Sequence, residues 1–340
     1  MTEKIAEAAP TSRDTSASPE AKVFRRGWRW QEVAFWLACL GSYFVFPGHL
    51  LLLTQIFIIG LLAVSLDLIV GFAGIVSIGH AVFFGVGAYA AGLLSVHGWS
   101  EPLSGLAVAA VVAGLLGFVS AQLVVRVEGI AVLMITLGIN ELLYQAANRA
   151  VSITGGDDGL QGVTVWPLFG HFSFDLYGRV SFFYSLAVLF VLFVVSRRLV
   201  HSPFGLALAG IRQNLPRMLS LGTPVRRHLI LVYTLSAAMA GIAGALVAET
   251  NQFVGLDSIS FDLSAEVLIM LTLGGVGWLY GGIIGTAIYL TAHDQLSDLN
   301  PQYWLFWLGL LLVVIVLIVT GDTFPLLRRR LAAALGWHPA

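Results

Sequence analysis

Few side chains in this sequence are placed to do chemistry, and those few sit in apolar surroundings. Glu141, in "LGINELLYQ", falls inside a charge-poor run, where an ionised carboxylate is expensive and by default a functional candidate. A hydrogen-bonded helix contact near the outer boundary is the plain alternative. Ser77, Gly79 and His80 lie in "GFAGIVSIGHAVFFGVGAY", residues 71–89, as candidate groups on a solute path. A lone histidine in that setting is more often a structural hydrogen-bonder than a ligand. Asp67 reads as an interfacial residue near the inner end of its run, and Glu266 as an acidic group favouring a helix N-terminus. No HExxH, no GxSxG and no cysteine with nucleophilic partners occurs; the one cysteine, Cys39, reads as packing. The only lysines, Lys4 and Lys22, stand near the start of the chain, so no ATP-binding P-loop can be built. No catalytic residue, metal site or cofactor is expected on this chain. If it moves a solute uphill with ATP, separate ATPase subunits must carry the ATP and magnesium.

The elements that hold these residues are membrane helices. Of the 340 residues, 58% are hydrophobic and 11% charged, against about 25% charged in soluble domains. Several charge-free runs reach the roughly 20 residues that cross a bilayer as a helix. A transmembrane β-barrel is excluded, since its strands would be about 10 residues of alternating polarity. The fold class is all-α and polytopic, with about eight to ten transmembrane or half-membrane helices. The runs are 33–47, 50–70, 75–96, 103–125, 129–147, 180–198, 229–248, a glycine-broken 264–290, and 303–320. Residues 1–29 read as a disordered basic cytoplasmic tail, 30–322 as the membrane domain, and 323–340 as a C-terminal cytoplasmic tail. "SAAMAGIAGA" puts Ala237, Gly241 and Ala245 on one stripe and Ala240, Gly244 and Ala248 on another, which is helix packing.

Orientation follows from arginine and lysine. Fifteen of the 18 sit in the N-terminal tail, the loop 199–228 with its flanking Arg197 and Arg198, or Arg328 to Arg330. The positive-inside rule places all three, and hence both termini, in the cytoplasm. That parity requires an even number of crossings after residue 228. The run 264–290 would be about 40 Å long as one helix, too long for an untilted span, and one pass would strand the C-terminal arginines outside. Six glycines fall between Gly274 and Gly285. Two helices meeting at a glycine break, entering and leaving from the same side, resolve both faults.

Irregular backbone at membrane depth is tolerated only where protein covers it or water lines it. Paired glycine-interrupted segments, here 71–89 and 271–290, are a sequence pointer to a transport pathway. The candidate pathway residues are therefore Ser77, Gly79, His80, Glu141, Gly274, Gly275, Gly277 and Gly281. Glycines that only let helices pack closely are the alternative for either segment. A self-contained ion-coupled transporter or channel is the alternative of a different class; Glu141 would be its one good ion-carrying group.

Two loops complete the reading. "SPFGLALAGIRQNLPRMLSLGTPVRRHL", residues 202–229, suits a short cytoplasmic helix on the membrane surface that meets another protein. The segments "TGGDDGLQGV", "GIRQNLPRMLSLG", "LSAAMAGIAGAL" and "EVLIMLTLGGVGWLYGGIIG", in order after "GFAGIVSIGHAVFFGVGAYAAGLL", resemble the permease subunits of branched-chain amino acid ABC transporters, specifically the LivM-like branch. The resemblance covers about residues 50–320. It implies a second, homologous permease (LivH-like), two cytoplasmic ATPase subunits, a periplasmic solute-binding protein and the bacterial inner membrane, with no nucleic acid partner. It maps ATPase coupling onto Arg212, Gln213, Asn214, Pro216, Arg217 and Gly222, and suggests the external loop 148–178, with Asp157 and Asp158, for binding-protein docking, a packing cap over the outer mouth being the alternative for that loop. The family often carries an acidic residue where this chain has Leu215, which puts a salt bridge there in doubt. Many members have a smaller residue than Trp278 in the broken run. The same architecture serves branched-chain amino acids, urea, short amides and aromatic acids.

Overall fold

The structure is a computed structural model that describes residues 30–167 and 178–299, with scattered residues from 301 to 313. The two terminal tails, most of the run at 303–320 and the end of the external loop lie outside the described residues. Among the described residues there is no strand, only an isolated antiparallel bridge between Leu160 and Val254.

The helices follow the apolar runs. They are α1 (Trp30–Val45), α2 (Leu50–Asp67), α3 (Ala81–Val96), α4 (Pro102–Val124), α5 (Ile130–Arg149) and the short α6 (Val151–Thr154). After the external loop come α7 (Arg179–Val200), α8 (Pro203–Gln213), α9 (Leu215–Ser220), α10 (Val225–Asn251), α11 (Phe261–Gly274) and α12 (Leu279–Leu299). Five of these, counting α2 to its end at Phe72, are long and apolar enough to cross a membrane. Local chemistry sets several starts: Pro102 and Pro203 occupy first-turn positions, where a missing N–H costs nothing. Ser202, Asn214 and Ser260 accept backbone N–H groups at the starts of α8, α9 and α11.

Two expectations change. The run 75–96 is not one helix: α3 begins only at Ala81, and 73–80 runs without helix from a π-helical turn at Leu68–Phe72. The expected surface helix in the cytoplasmic loop is a pair, because Asn214 leaves helical geometry to cap α9. The broken run does break among its glycines: α11 and α12 are bent by 112° at a four-residue break, but α12, at 21 residues, runs past the expected end at 290.

The core is built around α10, which packs between α3 and α4. Along α4 the approach is antiparallel: Gln122 accepts from Arg226, Gly117 faces Ala237, Ala113 faces Gly241, and Gly105 faces Glu249. On the other side Gly87 lies against the Gly241 backbone, and Gly244 against the Phe84 carbonyl. Lipid tails are as apolar as leucine, so such helices gain from close contact rather than from leaving water. Small residues supply that closeness, and both stripes read in α10 are used. Phe83 meets the Tyr233 ring edge-on at 5.7 Å. The first helix, with no fully buried residue, is attached laterally: Trp36 meets Phe190 and Phe193 edge-on, and Glu32 pairs with Arg197 at 2.9 Å.

A second path alongside α3 holds only one 3-10 turn, Leu256–Ile259, before α11. Val254 lies at the level of Gly92, Ser258 and Ile259 at Gly85, and Ser264, already in α11, at Ala81. The chain after α10 therefore runs antiparallel to α3 along most of its length.

A Cβ on Gly244 would overlap the Phe84 carbonyl, whereas one on Gly41 meets nothing within 4 Å. Gly244→Val is expected to destabilise the fold by roughly 1–3 kcal/mol or more. Gly41→Ala should be neutral or slightly stabilising. Thermal loss of the monodisperse peak in size-exclusion chromatography distinguishes them.

Candidate translocation site

The site begins at the apex between α11 and α12. Gly275 and Gly277 have φ of 101° and 84°, a left-handed backbone closed to most residues, and they make the turn. The other glycines of the run do something else. Gly274 lies against the Gly281 carbonyl, Gly285 against that of Met270, and Gly282 within 3.1 Å, from its Cβ position, of the Ala63 and Val64 backbone. Two glycines bend the chain; the rest let its arms and α2 close on one another.

The first glycine-rich segment meets this apex. Asp67, fully buried, accepts a 2.7 Å hydrogen bond from the Gly277 N–H through Oδ1. A Cβ on Gly71 would stand 2.6 Å from the Gly277 nitrogen. Arg212 of α8 donates to the Gly71 carbonyl, and its Cγ lies 3.0 Å from where a Cβ on Gly74 would be. Three parts distant in sequence, the end of α2, the α11–α12 apex and the arginine-rich loop, thus converge on one junction.

Beyond Gly74 the non-helical stretch finds outside partners for its backbone. The N–H of Ile75 returns to Ile69, that of Ile78 reaches Thr136 Oγ1 at 3.4 Å, and that of Ala81 reaches Ser264 Oγ at 3.0 Å. His80 is buried with Nε2 2.9 Å from Ser65 Oγ and 3.4 Å from Ser236 Oγ. The Ser65 hydroxyl donates to the Leu62 carbonyl, so Nε2 is assigned as the donor to Ser65. In this conformation His80 ties α2 to α10.

Of the sequence candidates, Gly274, Gly275, Gly277 and Gly281 gather at the apex. Ser77, Gly79 and His80 lie on the buried stretch above it, with Gly79 against the Thr136 carbonyl. Glu141 is not among them: it lies on the exposed face of α5, accepting from Gln145 Nε2 at 2.7 Å. Arg212, itself exposed, reaches the Gly71 carbonyl with its guanidinium, and Gln213, Asn214, Pro216, Arg217 and Gly222 are exposed as well. Asp157 and Asp158 are exposed on a single turn at Gly156–Asp158. That loop is fastened by the Leu160–Val254 pair and by Ser95, which accepts from the Thr164 N–H at 2.9 Å.

Three residues escaped the sequence reading. Asp67 is part of the junction rather than interfacial; its spacing of four to Gly71 and seven to Gly74, one helical face, was the available signal. Glu249, one residue beyond the expected span, is buried and accepts a 2.8 Å bond from Tyr184 OH, with Gly105 making room for it. Asn140 is buried with neither amide atom hydrogen-bonded. A concavity of about 790 Å³ between α4 and α7 is lined by residues such as Leu106, Ala110, Val188 and Val191. Its lining suits an acyl chain, not a polar solute.

Comparison with known proteins bears on what such a site serves. Residues 49–317 match the family described as branched-chain amino acid transport system, permease component. The high-affinity branched-chain amino acid transport system permease protein LivM of Escherichia coli K12 is 31% identical over 301 residues, covering 82% of this chain and 70% of that protein. LivM of Salmonella typhimurium LT2 is 30% identical, covering 88% and 75%. The autoinducer 2 import system permease protein LsrC of Enterobacter sp. 638 is 29% identical over 72% of this chain and 70% of its own. No solved structure matches.

Removing the donor to a buried carboxylate leaves its desolvation uncompensated, so Tyr184→Phe is expected to destabilise the protein by about 1–3 kcal/mol. Combining it with Glu249→Leu should cost less than the sum of the single changes. A double-mutant cycle on thermal unfolding checks this, and additive effects would refute the pairing.

Proposed function

The chain belongs to the permease-component family of branched-chain amino acid transport systems, and from that premise we propose that it is the membrane-spanning subunit of an ATP-driven importer. In this reading it moves branched-chain amino acids, or a related small polar solute, delivered by a periplasmic binding protein. A second, homologous permease completes the path in the bacterial inner membrane. Two cytoplasmic ATPase subunits hold ATP and magnesium and dock on α8 and α9. The arginine-rich loop and both termini face the cytoplasm, and the turn at Asp157 and Asp158 faces the binding protein.

One observation carries the reading. The α8–α9 pair exposes Gln213, Pro216, Arg217, Leu219 and Leu221 on one side, and on the other sends Arg212 to the meeting point of both glycine breaks. An exposed patch of mixed apolar and basic character is a protein-docking surface, and its attachment to irregular membrane backbone is what a drive from outside the membrane requires. The family supports this choice of solute: two LivM relatives are branched-chain amino acid permeases, whereas LsrC serves autoinducer 2 import. The binding protein, not the path, would set the choice among leucine, isoleucine, valine, amides, urea and aromatic acids.

Arg217→Glu should leave membrane insertion unchanged while lowering solute-stimulated ATP hydrolysis of the purified complex by about tenfold, a coupling loss of roughly 1.4 kcal/mol. Co-purification of an ATPase pair with the tagged chain, and calorimetry of the cognate binding protein with leucine, isoleucine and valine, test the assignment. A chain that retains no ATPase and drives ion-coupled uptake alone in liposomes would refute it.

A further inference from the structure

We propose that Asp67 and Arg212 form a clasp that holds both broken segments in one state, and that moving α8 opens it. The inference rests on the importer reading and names the residues through which its drive would act.

The geometry is specific. Asp67 holds the α11–α12 apex by the Gly277 N–H, and Arg212 holds the end of α2 by the Gly71 carbonyl. Gly71 and Gly277 are themselves in contact, so each grip constrains both segments. Gly71 leads into the unwound stretch 73–80, and Gly277 joins α11 to α12. Arg212 is the lever because it stands on α8, next to the docking patch. The two short helices are themselves linked: Gly210 of α8 packs within 2.8 Å, from its Cβ position, of Met218 Sδ on α9. A push on α9 is therefore passed to α8 and, through Arg212, to Gly71.

The clasp also has somewhere to go. Asp67 Oδ2 is buried with no hydrogen-bond partner, an acceptor left open beside an arginine. If α8 shifts, Arg212 can exchange the Gly71 carbonyl for this oxygen. The exchange frees Gly71 while keeping the guanidinium paired with a carboxylate, a charge-assisted bond stronger than the one to a carbonyl. Gly71, once released, no longer presses on Gly277, and both breaks can open together. Asp67 is in these terms a positioning residue: it touches no solute and acts through the apex.

Asp67→Asn keeps the shape and the acceptor for Gly277 but removes the charge; Arg212→Gln removes the lever, and Arg212→Lys keeps its charge. Hydrogen exchange on the purified chain in nanodiscs reads the clasp without any ATPase. Amides of 275–278 should exchange about tenfold faster in Asp67→Asn and in Arg212→Gln, and the double change should add little, as expected for one shared unit. In the full complex both single changes should lower solute imported per ATP by about tenfold with assembly intact, and Arg212→Lys should restore part of it. Unchanged exchange would overturn the clasp, and unchanged import per ATP in the assembled complex would overturn its role in the drive. Should the wild-type chain bind no ATPase, the importer reading fails, while the exchange measurement still decides whether the clasp exists.

Discussion

A peptide group in hydrocarbon has no water to fall back on, and the arrangement of this protein follows from that. Each unsatisfied backbone group at membrane depth costs several kcal/mol. Where the helices break, every freed N–H described above has been given a partner from another element: Thr136 for Ile78, Ser264 for Ala81, Asp67 for Gly277. Most other polar side chains in the spans instead bond a carbonyl three or four residues back in their own helix, as Thr54, Ser120, Ser196 and Thr286 do.

Close packing supplies the rest. Because the bilayer does not squeeze apolar helices together, α10 is held by contact area at small residues, facing α4 on one side and α3 on the other. That rigid centre stands beside two irregular stretches: 73–80, which leads into α3, and 252–260, which runs along α3 with one 3-10 turn at Leu256–Ile259. The broken segments thus stand against a closely packed wall and are tied to one another through few hydrogen bonds.

Much of this was legible in the sequence. The broken run declared itself because 27 residues exceed a span, six glycines crowd its middle and the arginine distribution demands a return. The small-residue stripes of α10 were legible for the same reason: a periodicity belongs to one helix. What could not be read were meetings between helices. Asp67 and Gly277 are 210 residues apart; the spacing of Asp67 to Gly71 and Gly74 marks a close-packed face, but nothing local names the amide it meets. Nor does the letter G separate Gly275, which turns the chain, from Gly285, which lets a neighbour in. The start of α3 was misplaced because 75–80 is apolar enough to be helix, and only the partners on α5 and α11 make the alternative tolerable.

Those partners also impose an order on biosynthesis. Thr136 and Ser264 lie 58 and 183 positions from the groups they receive. While the ribosome is still short of them, the N–H groups of Ile78 and Ala81 lack these acceptors, although that of Ile75 already has the Ile69 carbonyl. The nascent segment must wait, either wound as a provisional helix or sheltered at the translocon, until α5 and then α11 emerge. The hydrogen bonding of this segment is accordingly completed only after α11 has been made.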